Sequence, residues 1–281
     1  MRVMQIVADG AHGGGTTFVL ELIKSLDHPL LITQKDSYAL SVSGEIPKWG
    51  INFMRFPFDL STLLQLKRIL AEAKPDLIHL HGGRAAFFFS FIKAPCPVML
   101  TVHGLHSIYG KKFLSRYSYR RSFRHLEALV FVSHFEEEVA LNNDLIRGAH
   151  HLVIHNGIDE SALPPREGIR KKLLGFAGRL SPVKDPLFLL KVMELLGPKG
   201  YHLKVVGGGE LEMKMRKSPY VTLTGALPRF EALKELATIE KLLVPSVWEA
   251  CALLPLEAMA MGIPVIASRI PAFEEVLKEH A

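Results

Sequence analysis

The sequence predicts an α/β protein made of two domains, each built on a parallel sheet. Short apolar runs alternate with amphipathic helical patterns along most of the chain, which is typical of parallel strands joined by crossover helices. The alternation pauses once, over 157–168, where prolines and mixed charges remove the periodicity. A chain of 281 residues is long enough for two domains that each bury a core. We therefore place the domains at 1–160 and 161–281.

The expected strands follow in chain order, with helical patterns between several of them, for example over 61–73. In the first domain the apolar runs lie at 3–7, 30–33, 52–56, 77–80, 98–102, 128–132 and 152–154. In the second domain they lie at 173–177, 202–206, 221–224, 242–244 and 264–267. Both series are typical of Rossmann-like domains, in which ligands bind at the carboxyl ends of the strands.

Composition excludes several classes of protein. A hydrophobic content of 48% argues against disorder, and two cysteines are too few for a disulfide framework. The net charge of +6 is spread mildly over both domains, which argues against nucleic-acid binding. No apolar run has the roughly 18 residues of a membrane span, and the first run is too short for a signal peptide. The expected location is a reducing, cytoplasmic compartment.

A glycine-rich turn follows the first predicted strand. Gly13, Gly14 and Gly15 precede a helical pattern over 18–26, so free backbone N–H groups at the start of the helix could receive a phosphate. The turn lacks the G-x-G-x-x-G spacing of a dinucleotide site, although Asp36 lies where the ribose-binding acid of such a site would. A tight strand-to-helix turn without a ligand is the alternative.

Histidines are dense at the ends of two strands of the first domain. His79 and His81 end one strand, and His103 and His106 follow the next. No acidic or cysteine ligand follows at a standard metal spacing, so we expect no metal site. We expect instead one histidine that contacts substrate, with the others packed or hydrogen-bonded.

Two cations flank the turn after the first strand of the second domain. Arg179 and Lys184 could converge on one anionic group, and a guanidinium fork beside a mobile ammonium suits a diphosphate. The alternative is a pair of solvated surface cations.

The most informative stretch comes before the last predicted strand. Pro255 indicates the first turn of a helix, which places Glu257 in that turn and Glu249 in the preceding loop. The N–H groups of Leu253 and Leu254 would then be unpaired donors for an anion. Carboxylates beside an anion site are suited to accept hydroxyls, so these residues predict a site for a nucleotide-linked sugar.

These residues resemble the family 4 retaining glycosyltransferases of the GT-B fold, whose two Rossmann-like domains face a cleft. The most specific element is Glu249-x7-Glu257 followed by Ala-Met-Ala-x-Gly-x-Pro-Val. The other matching segments lie in the family's order: Gly13-Gly14, Pro75-Asp76-Leu77-Ile78-His79, Thr101-Val102-His103-Gly104, Phe131-Val132-Ser133, Ile154 to Asp159, Gly178-Arg179-Leu180 to Lys184, and Val206-Gly207-Gly208-Gly209.

The resemblance implies a metal-independent hexosyltransferase without a cofactor. It would move a sugar, with retention, from a UDP-sugar or GDP-sugar to a glycan or lipid-linked acceptor, as in polysaccharide or lipopolysaccharide biosynthesis. The first domain would bind the acceptor and the second the nucleotide sugar.

The resemblance also implies roles for individual residues. It assigns catalytic roles to His103 and Glu249, and donor binding to Gly14, Arg179, Lys184, Leu253, Leu254 and Glu257. The two cations would hold the diphosphate and stabilise it as leaving group. Gly14 would approach the β-phosphate, Glu249 the donor-sugar hydroxyls, Glu257 the ribose and His103 the sugar. No protein nucleophile is implied.

Two features depart from the family pattern. Ala250-Cys251-Ala252 stands where many members have Gly-Phe-Gly. Family members also continue well beyond the position of Ser268, so we expect a second domain without the usual final helices. A truncated module that binds nucleotide sugar with little activity is therefore the alternative function. A nicotinamide-dependent enzyme is disfavoured because it leaves the motifs of the second domain unexplained.

A basic segment over 109–125 has two interpretations. It carries Lys111, Lys112, Arg116, Arg120, Arg121 and Arg124, with aromatic residues between them. It predicts either a solvated helix face or a peripheral contact with an anionic membrane, on the inner face in a cytoplasmic protein.

Overall fold

The computed structural model of the chain describes residues 1–53, 59–110, 112–146 and 148–277, apart from the side chains of 109, 110 and 112–114. It divides into two compact units, Met1–His155 and Asn156–Ala281. Each unit has its own parallel sheet with helices between the strands.

The first unit contains a seven-stranded sheet in the order β3-β2-β1-β4-β5-β6-β7. Its strands are β1 (Arg2–Val7), β2 (His28–Gln34), β3 (Lys48–Ile51), β4 (Leu77–His81), β5 (Val98–Val102), β6 (Ala128–Phe131) and β7 (His150–Val153). All neighbours pair in parallel, so every carboxyl end lies at one edge of the sheet. The strand order reverses between β1 and β4, and a ligand crevice forms beside such a reversal.

Side-chain caps fix the start of some helices of the first unit. They are α1 (Gly14–Lys24), α2 (Tyr38–Val42), α3 (Leu60–Ala73), α4 (Gly82–Phe89), α5 (Ser107–Gly110), α6 (Lys112–Phe123) and α7 (His134–Asn142). The Asp59 side chain caps α3 by accepting from the Ser61 N–H at 2.9 Å, and Ser133 caps α7. Leu63, Leu66 and Leu70 form the buried stripe that packs α3 onto the sheet.

The second unit contains a five-stranded sheet in the order β10-β9-β8-β11-β12. Its strands are β8 (Leu173–Ala177), β9 (His202–Val206), β10 (Val221–Gly225), β11 (Lys241–Val244) and β12 (Val265–Ala267). Its helices are α8 (Pro186–Leu196), α9 (Glu212–Met215), α10 (Arg229–Ala237), α11 (Leu253–Ala260) and α12 (Pro271–Val276). Phe176, Leu203 and Val205 fill the core between sheet and helices, each worth about 1.5–3 kcal/mol in burial.

The structure confirms the predicted class of two parallel α/β sheets but moves one strand. The sequence predicted a strand at 52–56, whereas β3 ends at Ile51 and Phe53 lies beyond it in a turn; residues 54–58 lie outside the described ranges. The edge strand β3 buries only Ile51 fully and includes a lysine and a glycine, so it carries a weak apolar signal. Phe53 added to the apolar run although it is not in a strand. Its ring packs against that of Phe88, with 5.7 Å between the centroids.

Within the described ranges, no helix is both long and apolar enough to cross a membrane.

Candidate functional site

The glycine turn of the first unit leaves open space at the start of α1. The helix begins at Gly14, and the preceding Gly13 provides no side-chain cap. A Cβ added at Gly13 or Gly14 would meet no described atom within 4 Å, whereas one at Gly10 would collide with Thr33 and Ser37. Gly10 is thus required by the packing of the chain itself, while the turn at Gly13 and Gly14 is open to a ligand. Its N–H groups suit an anion.

The predicted histidines meet at the carboxyl ends of β4 and β5. His79 Nε2 lies 2.7 Å from Thr101 Oγ1. His81 Nδ1 lies 3.1 Å from His103 Nε2, and His81 Nε2 lies 2.7 Å from Oε1 of the fully buried Gln5 on β1. The sequence predicted the histidines but not Gln5, because a lone glutamine in an apolar strand carries no motif.

His103 borders the glycine turn. Its ring carbons lie 3.7–3.8 Å from the position that a Cβ on Gly15 would take, and Phe18 of α1 contacts the ring edge-on at 5.1 Å between centroids. The first unit therefore brings together two predicted features, the N-terminus of α1 and the His103 imidazole.

Burial keeps the histidine cluster neutral. It lowers the pKa of His79 and of His103 to about 4, and it lowers the pKa of His81 well below the ordinary value. Among the described residues, no three His, Cys, Asp or Glu side chains are arranged to hold a metal ion. Near pH 7 these imidazoles act as neutral donors and acceptors of hydrogen bonds.

In the second unit, two glycine turns hold Arg179 at the end of β8. The Leu180 N–H donates to the Gly208 carbonyl at 2.9 Å, and a Cβ on Gly207 would collide with the Gly178 carbonyl oxygen. The backbone on both sides of Arg179 is therefore fixed, while its side chain is exposed.

Lys184 and Glu249 meet at the carboxyl ends of β8 and β11. Lys184 Nζ lies 2.5 Å from Glu249 Oε1, and Ser246 Oγ donates to the same oxygen at 2.6 Å. The Val247 N–H donates to the Val183 carbonyl at 2.9 Å, which ties the two loops together. Glu249 is only 9% exposed, so its carboxylate needs this cation.

Glu257 differs from its predicted position. Helix α11 begins at Leu253, followed by Leu254, and its N-cap residue Ala252 provides no side-chain cap. Counted from that start, Glu257 lies in the second turn and not in the first, because the helix begins two residues before the proline. It forms a buried ion pair with Arg229, whose Nε donates to Glu257 Oε1 at 3.0 Å. Arg229 was missed because it begins α10, 28 residues away, with no motif around it.

The loop between Glu249 and α11 is anchored to the start of the second unit. Asn156 Nδ2 donates to the Cys251 carbonyl at 2.8 Å. The Cys251 side chain is buried and fills space in this loop. Burial raises the pKa of its thiol.

The basic segment 109–125 uses some of its arginines inside the first unit. Arg120 pairs with Asp144 at 2.8 Å, and Arg116 donates to the carbonyl of a neighbouring loop at 3.3 Å. Lys111 and the side chains of 109, 110 and 112–114 lie outside the described part of the chain. The membrane contact stays a prediction.

Both units thus follow the Rossmann-like strand order and carry their polar groups at the carboxyl ends of the strands. A family model described as Glycosyltransferase Family 4 matches residues 12–162, and one described as Glycosyl transferases group 1 matches residues 171–281. The chain belongs to glycosyltransferase family 4.

Curated relatives are distant and longer. An Escherichia coli UDP-Gal:alpha-D-GlcNAc-diphosphoundecaprenol alpha-1,3-galactosyltransferase is 24% identical over 75% of this chain and 62% of its own length. An MMP alpha-(1->4)-mannosyltransferase of Mycolicibacterium hassiacum is 27% identical over 79% of this chain and 61% of its own. The chain thus spans about three fifths of the length of these relatives.

Solved structures share the fold over nearly the whole chain. HepE of Anabaena in complex with UDP-glucose is 18% identical, with a TM-score of 0.83 over 98% of this chain and 82% of its own. Sucrose-phosphate synthase of Thermosynechococcus elongatus is 16% identical, with a TM-score of 0.78 over the same shares. These likenesses confirm the predicted GT-B fold class.

Proposed function

We propose that this chain is a retaining, metal-independent glycosyltransferase that moves a sugar from a UDP-sugar or GDP-sugar to a glycan or lipid-linked acceptor. The observation that carries the proposal is the contact between Lys184 and Glu249, at the carboxyl end of the strand that also presents Arg179. Two cations and a carboxylate near the carboxyl end of one strand can serve a diphosphate and a sugar together.

Arg179 and Lys184 supply the positive charge that a diphosphate requires. Glu249 would repel a diphosphate if it stood alone, but Lys184 neutralises it at 2.5 Å. With Oε1 held by Lys184 and Ser246, the second oxygen of Glu249 is oriented to accept a sugar hydroxyl. In this proposal the cations bind the diphosphate, and the neighbouring carboxylate of Glu249 binds the sugar.

Glu257 and the start of α11 complete the donor site. Arg229 donates a hydrogen bond to Oε1 of Glu257 and orients the buried carboxylate, so that Oε2 can accept ribose hydroxyls. The N–H groups of Leu253 and Leu254, at the uncapped start of α11, would face the phosphates.

In the reaction, the bond between the anomeric carbon and the diphosphate oxygen breaks, and the acceptor hydroxyl forms the new bond on the same face of the sugar. The leaving diphosphate takes the electron pair and accepts the proton of the acceptor hydroxyl, and Arg179 and Lys184 stabilise its charge. His103 is neutral near pH 7 and contributes a hydrogen bond to the sugar rather than a positive charge.

Two relatives support the choice of substrates. The Escherichia coli relative is named for a UDP-galactose donor and a lipid-linked diphosphate acceptor, and HepE was solved with UDP-glucose. We therefore place UDP-sugars first among the donors, and undecaprenol-type or glycan acceptors first among the acceptors.

The test is turnover with UDP-, GDP- and ADP-sugars in EDTA, detected as released nucleotide, with anomeric configuration read by NMR of the product. We expect one nucleotide class to react with retention. Arg179→Ala should reduce kcat/KM by about 100-fold, or about 3 kcal/mol, whereas Lys191→Ala, at an exposed position of α8, should not. Inversion, a metal requirement or binding without turnover would each contradict the proposal.

A further inference from the structure

We propose that Gln5 and His81 are positioning residues that hold His103 in its Nε2–H tautomer and so reserve Nδ1 of His103 as an acceptor for a donor-sugar hydroxyl. This inference rests on the proposed function of His103. It follows from a chain of two hydrogen bonds behind that imidazole.

The first link fixes the proton of His81. Gln5 Oε1 can only accept a hydrogen bond, and it lies 2.7 Å from His81 Nε2, so His81 donates from Nε2. Gln5 is fully buried, and its Nε2 has no hydrogen-bond partner among the described atoms. Packing alone would favour an apolar residue here, as at Met4 and Ile6 beside it, because a buried amide without its bonds is unfavourable.

The second link passes the assignment to His103. Burial lowers the pKa of His81 and keeps the ring neutral, so a proton on Nε2 leaves a lone pair on Nδ1. His103 Nε2 lies 3.1 Å from that Nδ1. Two lone pairs cannot bond, so His103 must donate from Nε2.

The consequence concerns the second ring nitrogen of His103. His103 is also neutral at pH 7, so a proton on Nε2 leaves Nδ1 as an acceptor. Nδ1 has no hydrogen-bond partner among the described residues, and the ring borders Gly15 and Phe18 at the glycine turn. A sugar group that meets His103 must therefore be a donor, such as a hydroxyl. A carboxylate in that place would not bind, because it has no proton to donate to Nδ1.

His79 provides a matched control within the same cluster. Its ring packs 4.1 Å from that of His81, but its Nε2 bonds Thr101 and no bond joins it to His103 in the described structure. A purely structural role for the cluster predicts equal effects from His79 and His81. A role through the tautomer predicts an effect from His81 alone.

The kinetic test compares three variants of the full chain. We expect His81→Leu to lower kcat about 10- to 100-fold with the KM for the nucleotide sugar within about two-fold. His81→Asn, whose amide oxygen can stand near the lost Nδ1, should recover part of that loss. His79→Leu should keep both constants within about two-fold. Equal losses in His81→Leu and His79→Leu would overturn the inference.

A spectroscopic test needs no activity and separates this inference from the proposed function. In protein with 15N-labelled histidine, assigned through His103→Gln, Nδ1 of His103 should resonate as an unprotonated imidazole nitrogen, and His81→Leu should change that signature. A protonated Nδ1 in the wild type, or an unchanged one in His81→Leu, would overturn the inference. Absence of turnover with this signature intact would reject the proposed function alone.

Discussion

The polar site of the second unit is built from charged side chains, whereas that of the first unit is built from neutral groups. The second unit uses buried ion pairs, Lys184 with Glu249 and Arg229 with Glu257. The first unit uses open glycine N–H groups and neutral imidazoles, with His103 beside the glycine turn. The difference matches the proposed chemistry. A diphosphate needs the cations of the second unit and can also accept from the glycine N–H groups of the first unit, whereas a sugar hydroxyl needs a directional acceptor such as His103.

The largest effect should come from breaking the ion pair of Glu249. Lys184→Met leaves a carboxylate that is 10% exposed without its cation, so the free energy of unfolding should fall by about 2 kcal/mol, less than for a wholly buried pair because Lys184 is 32% exposed. Affinity for the nucleotide diphosphate should fall about 100-fold. Chemical denaturation and calorimetry measure the two losses.

The double variant Lys184→Met/Glu249→Gln is the control for that experiment. It removes the charge that Lys184→Met strands, so it should regain most of the stability while affinity stays low. If affinity returned with stability, Lys184 would be a structural cation and the contrast between the units would fail.

A smaller effect is expected at the second ion pair. Arg229→Ala should weaken UDP or GDP binding by about 10-fold, because Glu257 loses the partner that orients it toward the ribose. The preference for a ribonucleotide over its deoxyribonucleotide should shrink as well, since the lost contact is to a hydroxyl. Lys234→Ala, at an exposed pair on the same helix, is the control. Equal losses for ribo- and deoxyribonucleotides would remove Glu257 from the ribose.

The neutral histidines predict how stability depends on pH. Between about pH 6.5 and 4 the unfolded chain protonates these imidazoles while folded His79 and His103 stay neutral, so the free energy of unfolding falls as pH decreases. Each histidine contributes a slope of up to about 1.4 kcal/mol per pH unit. Denaturation of the wild type at pH 7, 6 and 5 should show this loss.

His79→Leu sharpens that measurement. It should reduce the slope by the share of one histidine, because the folded protein then has one buried neutral imidazole fewer. A wild-type stability that rises as pH falls would show that the cluster is charged in the folded state.

The smallest effect is expected at the glycine turn. Gly14→Ala should leave folding intact or improve it by up to about 1 kcal/mol, since a Cβ there meets open space and alanine favours a helix. Nucleotide-sugar affinity should nevertheless fall a few-fold. Gly10→Ala, at φ 62° and against Thr33, should instead destabilise the protein. Unaltered affinity in Gly14→Ala would place the phosphate elsewhere.

What the sequence predicted depends on how local its signal was. The alternation of apolar runs gave the fold class, and contiguous motifs gave Arg179, Lys184 and Glu249. Gln5 and Arg229 were missed because their partners lie 76 and 28 residues away in the sequence and meet them only in the folded chain. Strand β3 was misplaced because edge strands lack a continuous apolar run. Local periodicity thus predicts elements, whereas polar pairs across the sheet require the fold.

The most direct test of the central claim is calorimetric titration of UDP, GDP, ADP and NAD into the protein in EDTA. UDP or GDP should bind without metal, Arg179→Ala should reduce this affinity by at least about 10-fold, and NAD should not bind. Binding of NAD alone, or UDP and GDP affinities unchanged in Arg179→Ala, would contradict the proposed donor site.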